Sequence, residues 1–115
     1  MSYRIAIASS DGKNIDLHFA RASQFYIYDI KDAAYEFVEL RKCETILKHD
    51  ENEFDKAISK LHDCIAVIVS QIGRGALAYL SLKNIRVFEA PYPIDGVLDK
   101  LVKEAILSKK ESINS

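Results

Sequence analysis

A histidine stands in the polar-flanked segment Asp16-Leu17-His18-Phe19, where its imidazole can donate a nitrogen lone pair to a metal. A loop histidine serves equally well to pin backbone groups by hydrogen bonds. Asp16, two residues earlier, can orient that imidazole as an acceptor or close an Asx-turn within its own loop. Upstream, Ser9-Ser10-Asp11 ends an apolar run with hydroxyl and carboxylate groups. Downstream, Gly73-Arg74-Gly75 falls where a strand pattern passes into a helix pattern. There the backbone N–H groups, the positive end of the helix dipole and the Arg74 guanidinium all favour an anion. The alternative reading of the two glycines is a tight turn and nothing more.

The thiols and remaining histidines carry less. Cys43 and Cys64 form no Cys-x-x-Cys pair, so an iron–sulfur cluster held by four cysteines of this chain is excluded by count. Cys64 opens an apolar run and reads as a small core residue. Cys43 ends a more polar run, is expected to be the more exposed thiol, and stands behind His18 as a weak metal candidate. His49, beside Asp50, and His62 fit the two ends of a helix better than a zinc site. Ser9, Ser10, Asp11 and His18 include the residue types of a catalytic triad, but they crowd one loop and lack a nucleophile-elbow sequence. No catalytic residue is assigned, and the chain is not read as an enzyme.

The elements that must hold these residues follow from hydrophobic periodicity. Tyr3 to Ser9 sets Ile5 and Ile7 on one side and Ala6 and Ala8 on the other, a pattern suited to a central strand. Residues 24–30 and 35–41 alternate as a hairpin around the polar break Lys31-Asp32-Ala33. The period then shifts to 3.6, with Phe54, Ala57, Ile58 and Leu61 on one helical face behind an Asp50 N-cap and Glu53 at the capping-box position. Residues 64–69 are continuously apolar, as in a strand covered on both faces. A helix over 76–82 is expected to stop at Asn84, and a short strand spans 85–88. A last helical stripe runs through Ile94, Val97, Leu98, Leu101, Val102, Ala105 and Ile106, leaving a frayed tail from Lys109.

The order β-β-β-α-β-α-β-α predicts an α/β fold: a mixed five-stranded sheet in the order 3-2-1-4-5 with helices on both faces, the three-layer ribonuclease H-like arrangement. That order leaves the apolar first and fourth strands central. It also places Ser9-Ser10-Asp11 beside Gly73-Arg74-Gly75, so that His18 and the glycine turn face one pocket. Ligands in open α/β sheets bind beyond the carboxyl ends of strands, which is where this rim lies. A ribonuclease H-like nuclease would need an acidic metal ligand on the first strand, and Tyr3 to Ser9 contains neither Asp nor Glu.

Composition bounds the remaining options. At 115 residues, residues 1–115 are expected to form one domain around a single core. Sixteen basic against seventeen acidic residues, interspersed, give a net charge of −1 and advertise neither a nucleic-acid nor a membrane surface. No apolar run approaches the roughly 20 residues of a bilayer span, and the N-terminus lacks the pattern of a secretory signal. A cytoplasmic address with both thiols reduced is the expectation.

With these residues in view, the chain resembles the nitrogenase iron-molybdenum cofactor biosynthesis family, the group of NifX, NafY and the C-terminal part of NifB. The resemblance rests on Ile5-Ala6-Ile7-Ala8-Ser9-Ser10-Asp11-Gly12, Ile15-Asp16-Leu17-His18-Phe19 and Phe25-Tyr26-Ile27-Tyr28. It continues through Leu61-His62-Asp63-Cys64-Ile65-Ala66-Val67, Ile72-Gly73-Arg74-Gly75-Ala76 and Pro93-Ile94-Asp95. Two departures are Ala20 where the family has Gly after His-Phe, and Arg74 where its common turn has Pro. The resemblance implies a ribonuclease H-like fold and non-enzymatic binding, storage or transfer of an iron–sulfur or iron-molybdenum cofactor precursor, carried as cargo rather than as a permanently bound cofactor. It makes His18, and His18 alone, the cluster ligand, and metallocofactor assembly or acceptor proteins the partners; Ser10, Asp11, Asp16, Gly73, Arg74 and Gly75 are candidate cargo contacts from their place in the loop and the turn. The competing expectation is an adaptor that binds a protein partner or a small anion and no cluster.

Overall fold

The computed structural model describes residues 2–31, 34–43 and 51–104. The Asp50 and Glu53 cap, His49, Ala105, Ile106 and the tail from Lys109 fall on positions or side chains outside those residues. Five strands form one sheet: β1 (Ser2–Ala8), β2 (Gln24–Lys31), β3 (Ala34–Lys42), β4 (Ala66–Val69) and β5 (Arg86–Glu89), in the order β3-β2-β1-β4-β5. β1 pairs antiparallel with β2 and parallel with β4, β2 and β3 are antiparallel, and β4 and β5 are parallel. The predicted mixed sheet and its strand order are therefore present.

Both faces of the centre are covered, which is why its residues are apolar without interruption. α1 (Glu51–Ser59) and α2 (Arg74–Leu82) pack Ala57, Ile58, Ala76 and Leu80 on Ala6, Ala8, Phe25, Ile27, Val67 and Val69. α3 (Ile94–Glu104) packs Ile94, Leu98 and Leu101 on Ile5, Ile7, Ile30, Ala66 and Ile68. The alternation read in β1 thus sorts its isoleucines to the α3 layer and its alanines to the α1–α2 layer.

Some boundaries differ from the periodicity. α1 ends at Ser59, so Leu61 is buried from the turn that follows it, and β4 begins at Ala66, two residues after buried Cys64. Short-range pattern cannot separate a helix from a succeeding compact turn when both feed the same core. A register shift between Ile27 and Tyr28 interrupts the β2–β3 ladder. α2 ends as expected, with Asn84 in the left-handed region at φ 62°.

Candidate functional site

The loop that leaves β1 is built around two side chains. Ser9 is completely buried, and its Oγ accepts the N–H groups of Gly12 at 2.9 Å and Asp11 at 3.3 Å while donating to Asp11 Oδ1. Asp11 Oδ1 accepts the N–H groups of Lys13 at 2.8 Å and Asn14 at 3.0 Å. Those backbone bonds, Asn14 first and Lys13 second, hold the Asp11 carboxyl below the usual carboxylate range. The amides of residues 11–14 consequently point inward and are satisfied, and Asp11 shapes the loop. Gly12 makes the bend possible: its φ is +75°, and a Cβ there would lie 2.8 Å from the Tyr26 ring.

Asp16 closes the second half of the same loop. Ser10 donates its N–H to Asp16 Oδ1 at 2.9 Å and its hydroxyl to Oδ2, so both carboxylate oxygens are directed to Ser10. This geometry supplies neither role read for Asp16: the carboxylate closes the loop onto Ser10, six residues earlier, instead of making an Asx-turn or orienting the imidazole. Gln24 adds a tie from β2, its Nε2 donating to the carbonyls of Ser9 and Ser10.

His18 is fixed through its backbone and exposed through its side chain. Leu17 O accepts the Ser70 N–H at 3.0 Å and the Phe19 N–H donates to Gln71 O at 3.0 Å, so His18 forms a parallel bridge with Gln71 just beyond β4. Phe19 drives inward, 2% exposed with its ring 6.3 Å from that of Phe25, and begins a short 3-10 turn over Phe19–Arg21. An inward Phe19 leaves its neighbour His18 outward. The imidazole makes no hydrogen bond to any described residue, so the alternative in which it pins the loop is not realised among them.

The glycine turn lies next to it. Gly73 is the N-cap of α2 with extended backbone, the first turn contains no acidic residue, and no side chain caps it. No atom lies within 4 Å of a Cβ built on Gly73 or Gly75, and Gly73, Arg74 and Gly75 are all exposed. His18 and the turn therefore lie on one open rim above the carboxyl ends of β1 and β4. Sequence reasoning missed Glu89, whose Oε2 accepts the Ile72 N–H at 2.9 Å. A carboxylate ending β5, the strand adjoining β4, was the signal for it.

The other candidates lie apart from this rim. Cys43 is half-buried, the more exposed of the two thiols as expected; it donates its thiol to Ala22 O at 3.3 Å, and burial pushes its pKa up. Burial, with the Asp63 carboxylate second, pushes the Cys64 thiol up to about 12. His62 Nδ1 lies 3.1 Å from Ser59 O at the end of α1, as its helix-terminal reading anticipates. Among the described residues no three His, Cys, Asp or Glu side chains gather as a metal site. An open concavity of about 670 Å³ is lined by Ala34, Tyr35, Asp99, Val102 and Lys103. Because Ala34 pairs with Lys31 and Lys31 with Ser2, it lies at the opposite end of the sheet from His18.

Comparison with known proteins matches residues 1–104 to the family described as dinitrogenase iron-molybdenum cofactor. Protein NifX of Rhodobacter capsulatus is 27% identical over 106 residues, covering 85% of this chain and 67% of NifX. The FeMo cofactor biosynthesis protein NifB of Frankia alni is 28% identical over 106 residues, covering 87% of this chain but only 20% of NifB. The chain thus spans about a fifth of the NifB relatives it matches. The crystal structure of PH0822 superposes with a TM-score of 0.70 at 28% identity, covering 88% of this chain and 89% of that one.

Proposed function

The chain belongs to the dinitrogenase iron-molybdenum cofactor family, and from that premise we propose that it takes part in iron-molybdenum cofactor assembly as a carrier. Residues 1–115 act as one non-enzymatic domain that holds an iron–sulfur or iron-molybdenum cofactor precursor as cargo and passes it to assembly or acceptor proteins in the cytoplasm. The observation that carries this reading is the His18–Gln71 bridge. It sets an exposed imidazole beside an uncapped helix N-terminus that bears Arg74, a donor for iron or molybdenum next to a setting for negative charge. The name of the NifB relative, FeMo cofactor biosynthesis protein, supports a place in that assembly.

A single protein ligand on an open rim suits a carrier. It leaves most coordination positions free for the next protein, and the cargo can leave without a lid moving. Ser10, Asp11 and Asp16 serve this site by shaping the loop. Gly73 and Gly75 let the cargo approach the backbone, and Arg74 offsets its charge. The strand order supports the ribonuclease H-like reading of the fold, while β1, with no acidic residue, gives nuclease chemistry no metal ligand. No described helix is long and apolar enough to cross a membrane.

Anaerobic titration with an iron–sulfur cofactor precursor, followed by absorbance and paramagnetic resonance, tests the proposal on wild type and His18→Ala together. The expected result is binding by wild type and a loss of about tenfold or more in the variant, with an unchanged circular dichroism spectrum. Equal affinity would remove His18 from the site. No binding by folded wild type would leave the adaptor reading, in which the same rim meets a protein or a small anion.

A further inference from the structure

Glu89 touches the rim from the side opposite His18, and nothing in the proposed binding role yet uses it. The connection from β4 to α2 is held from two directions. On the β1 side, Ser70 donates to Leu17 O and Gln71 O accepts from Phe19 N–H. On the β5 side, the exposed Glu89 carboxylate accepts the Ile72 N–H at 2.9 Å. The position of Glu89 is set by the sheet, since it lies opposite Val69 in the parallel β4–β5 ladder and the Ala90 N–H bonds to Val69 O. One carboxylate therefore does two things with opposite consequences for an anion: its hydrogen bond fixes the backbone beside His18, and its charge opposes negative cargo.

We propose that Glu89 is a positioning and charge-selecting residue of the rim: through Ile72 it holds the segment on which His18 rests, and through its negative charge it limits the affinity for multiply anionic cargo. The inference rests on the carrier reading and adds to it a device for release. Arg74 and the first turn of α2 attract an anionic cluster, while Glu89 weakens the hold enough for an acceptor to compete. Cargo of lower negative charge is favoured over cargo of higher charge at the same ligand.

Two substitutions separate the functions. Glu89→Gln keeps an oxygen acceptor for the Ile72 N–H and removes the charge; Glu89→Ala removes both. The hydrogen bond and the charge then predict opposite outcomes in the anaerobic titration with the iron–sulfur precursor. Glu89→Gln is expected to bind about threefold or more tighter than wild type at low salt, with the gain fading toward 0.5 M salt as screening grows. Glu89→Ala is expected to bind more weakly than Glu89→Gln, and its Ile72 amide to exchange with solvent faster than in either wild type or Glu89→Gln. A merely structural Glu89 would leave Glu89→Gln at or below wild-type affinity. That result, or identical behaviour of the two variants, overturns the proposal while binding lost in His18→Ala leaves the carrier reading standing. Absence of binding by wild type overturns both.

Discussion

Gly12→Ala is the substitution whose cost the structure specifies most closely. Two independent contributions arise. At φ +75° an L-residue sits in the left-handed region, which costs about 1 kcal/mol relative to glycine. The new methyl would also lie 2.8 Å from Tyr26 Cε2, 2.9 Å from Cζ and 3.0 Å from the hydroxyl. That is about 1 Å inside an ordinary carbon–carbon contact. The Tyr26 ring, which packs on the Phe37 ring at a centroid distance of 6.0 Å, must shift to admit the methyl. Moving it off its rotamer adds about 1–1.5 kcal/mol. The expected total is about 2–2.5 kcal/mol, a fall in Tm of about 8–20 °C for a domain of this size. Urea denaturation followed by circular dichroism measures it, and Tyr26→Ala supplies the control. With the ring gone, Gly12→Ala should cost only the left-handed penalty, so the double-mutant cycle should show a coupling of about 1 kcal/mol. A loss under about 0.5 kcal/mol, or the same loss in both backgrounds, would refute the argument that the ring and the backbone jointly require glycine here.

Three further outcomes follow from other contacts. Asp63 receives Arg41 at 2.6 and 2.7 Å and Arg4 at 2.9 Å, tying the turn before β4 to β1 and β3, so Asp63→Asn should destabilise by about 1–2 kcal/mol in thermal or urea unfolding. Arg41 first, with Arg4 behind it, holds the Asp63 carboxyl well below the usual carboxylate range. A lowered folded-state pKa means that this stabilisation is complete above the unfolded value of about 4 and is lost as the pH falls from there through the folded value. Wild type should therefore lose more stability than Asp63→Asn below about pH 4, and parallel acid-unfolding curves would contradict the linkage. In a thiol titration at pH 8, Cys43 should react ahead of Cys64 and both should react rapidly only in denaturant, since burial raises both thiols and Cys64 is pushed to about 12. Rapid native labelling of Cys64 would show that its surroundings open.

Much of the fold was legible because it is written in local periodicity. Isoleucine and alanine alternate in β1 because its two faces meet different helix layers, and β4 is apolar throughout because it is covered twice. Asn84 marks the end of α2 because few residues other than glycine accept φ 62°. The family motifs pointed to His18 and to Gly73-Arg74-Gly75, and the strand order was enough to place them at one end of the sheet.

The roles of the surrounding polar residues were not legible, because each depended on a partner distant in sequence or on a choice between two nearby ones. Asp16 was read as orienting His18 or closing an Asx-turn, and it does neither, because the loop around buried Ser9 brings Ser10 to both its oxygens. Cys43 follows a polar strand, yet it lies against the α1–α2 layer and bonds to Ala22 O. Glu89 meets Ile72 only because β5 lies parallel to β4. Side-chain types and spacing determined which groups this chain offers and which face of each element is buried, since burial follows a local repeat. Tertiary structure alone decided which of those groups remain free, since a hydrogen bond is spent on whichever partner the fold brings within 3 Å.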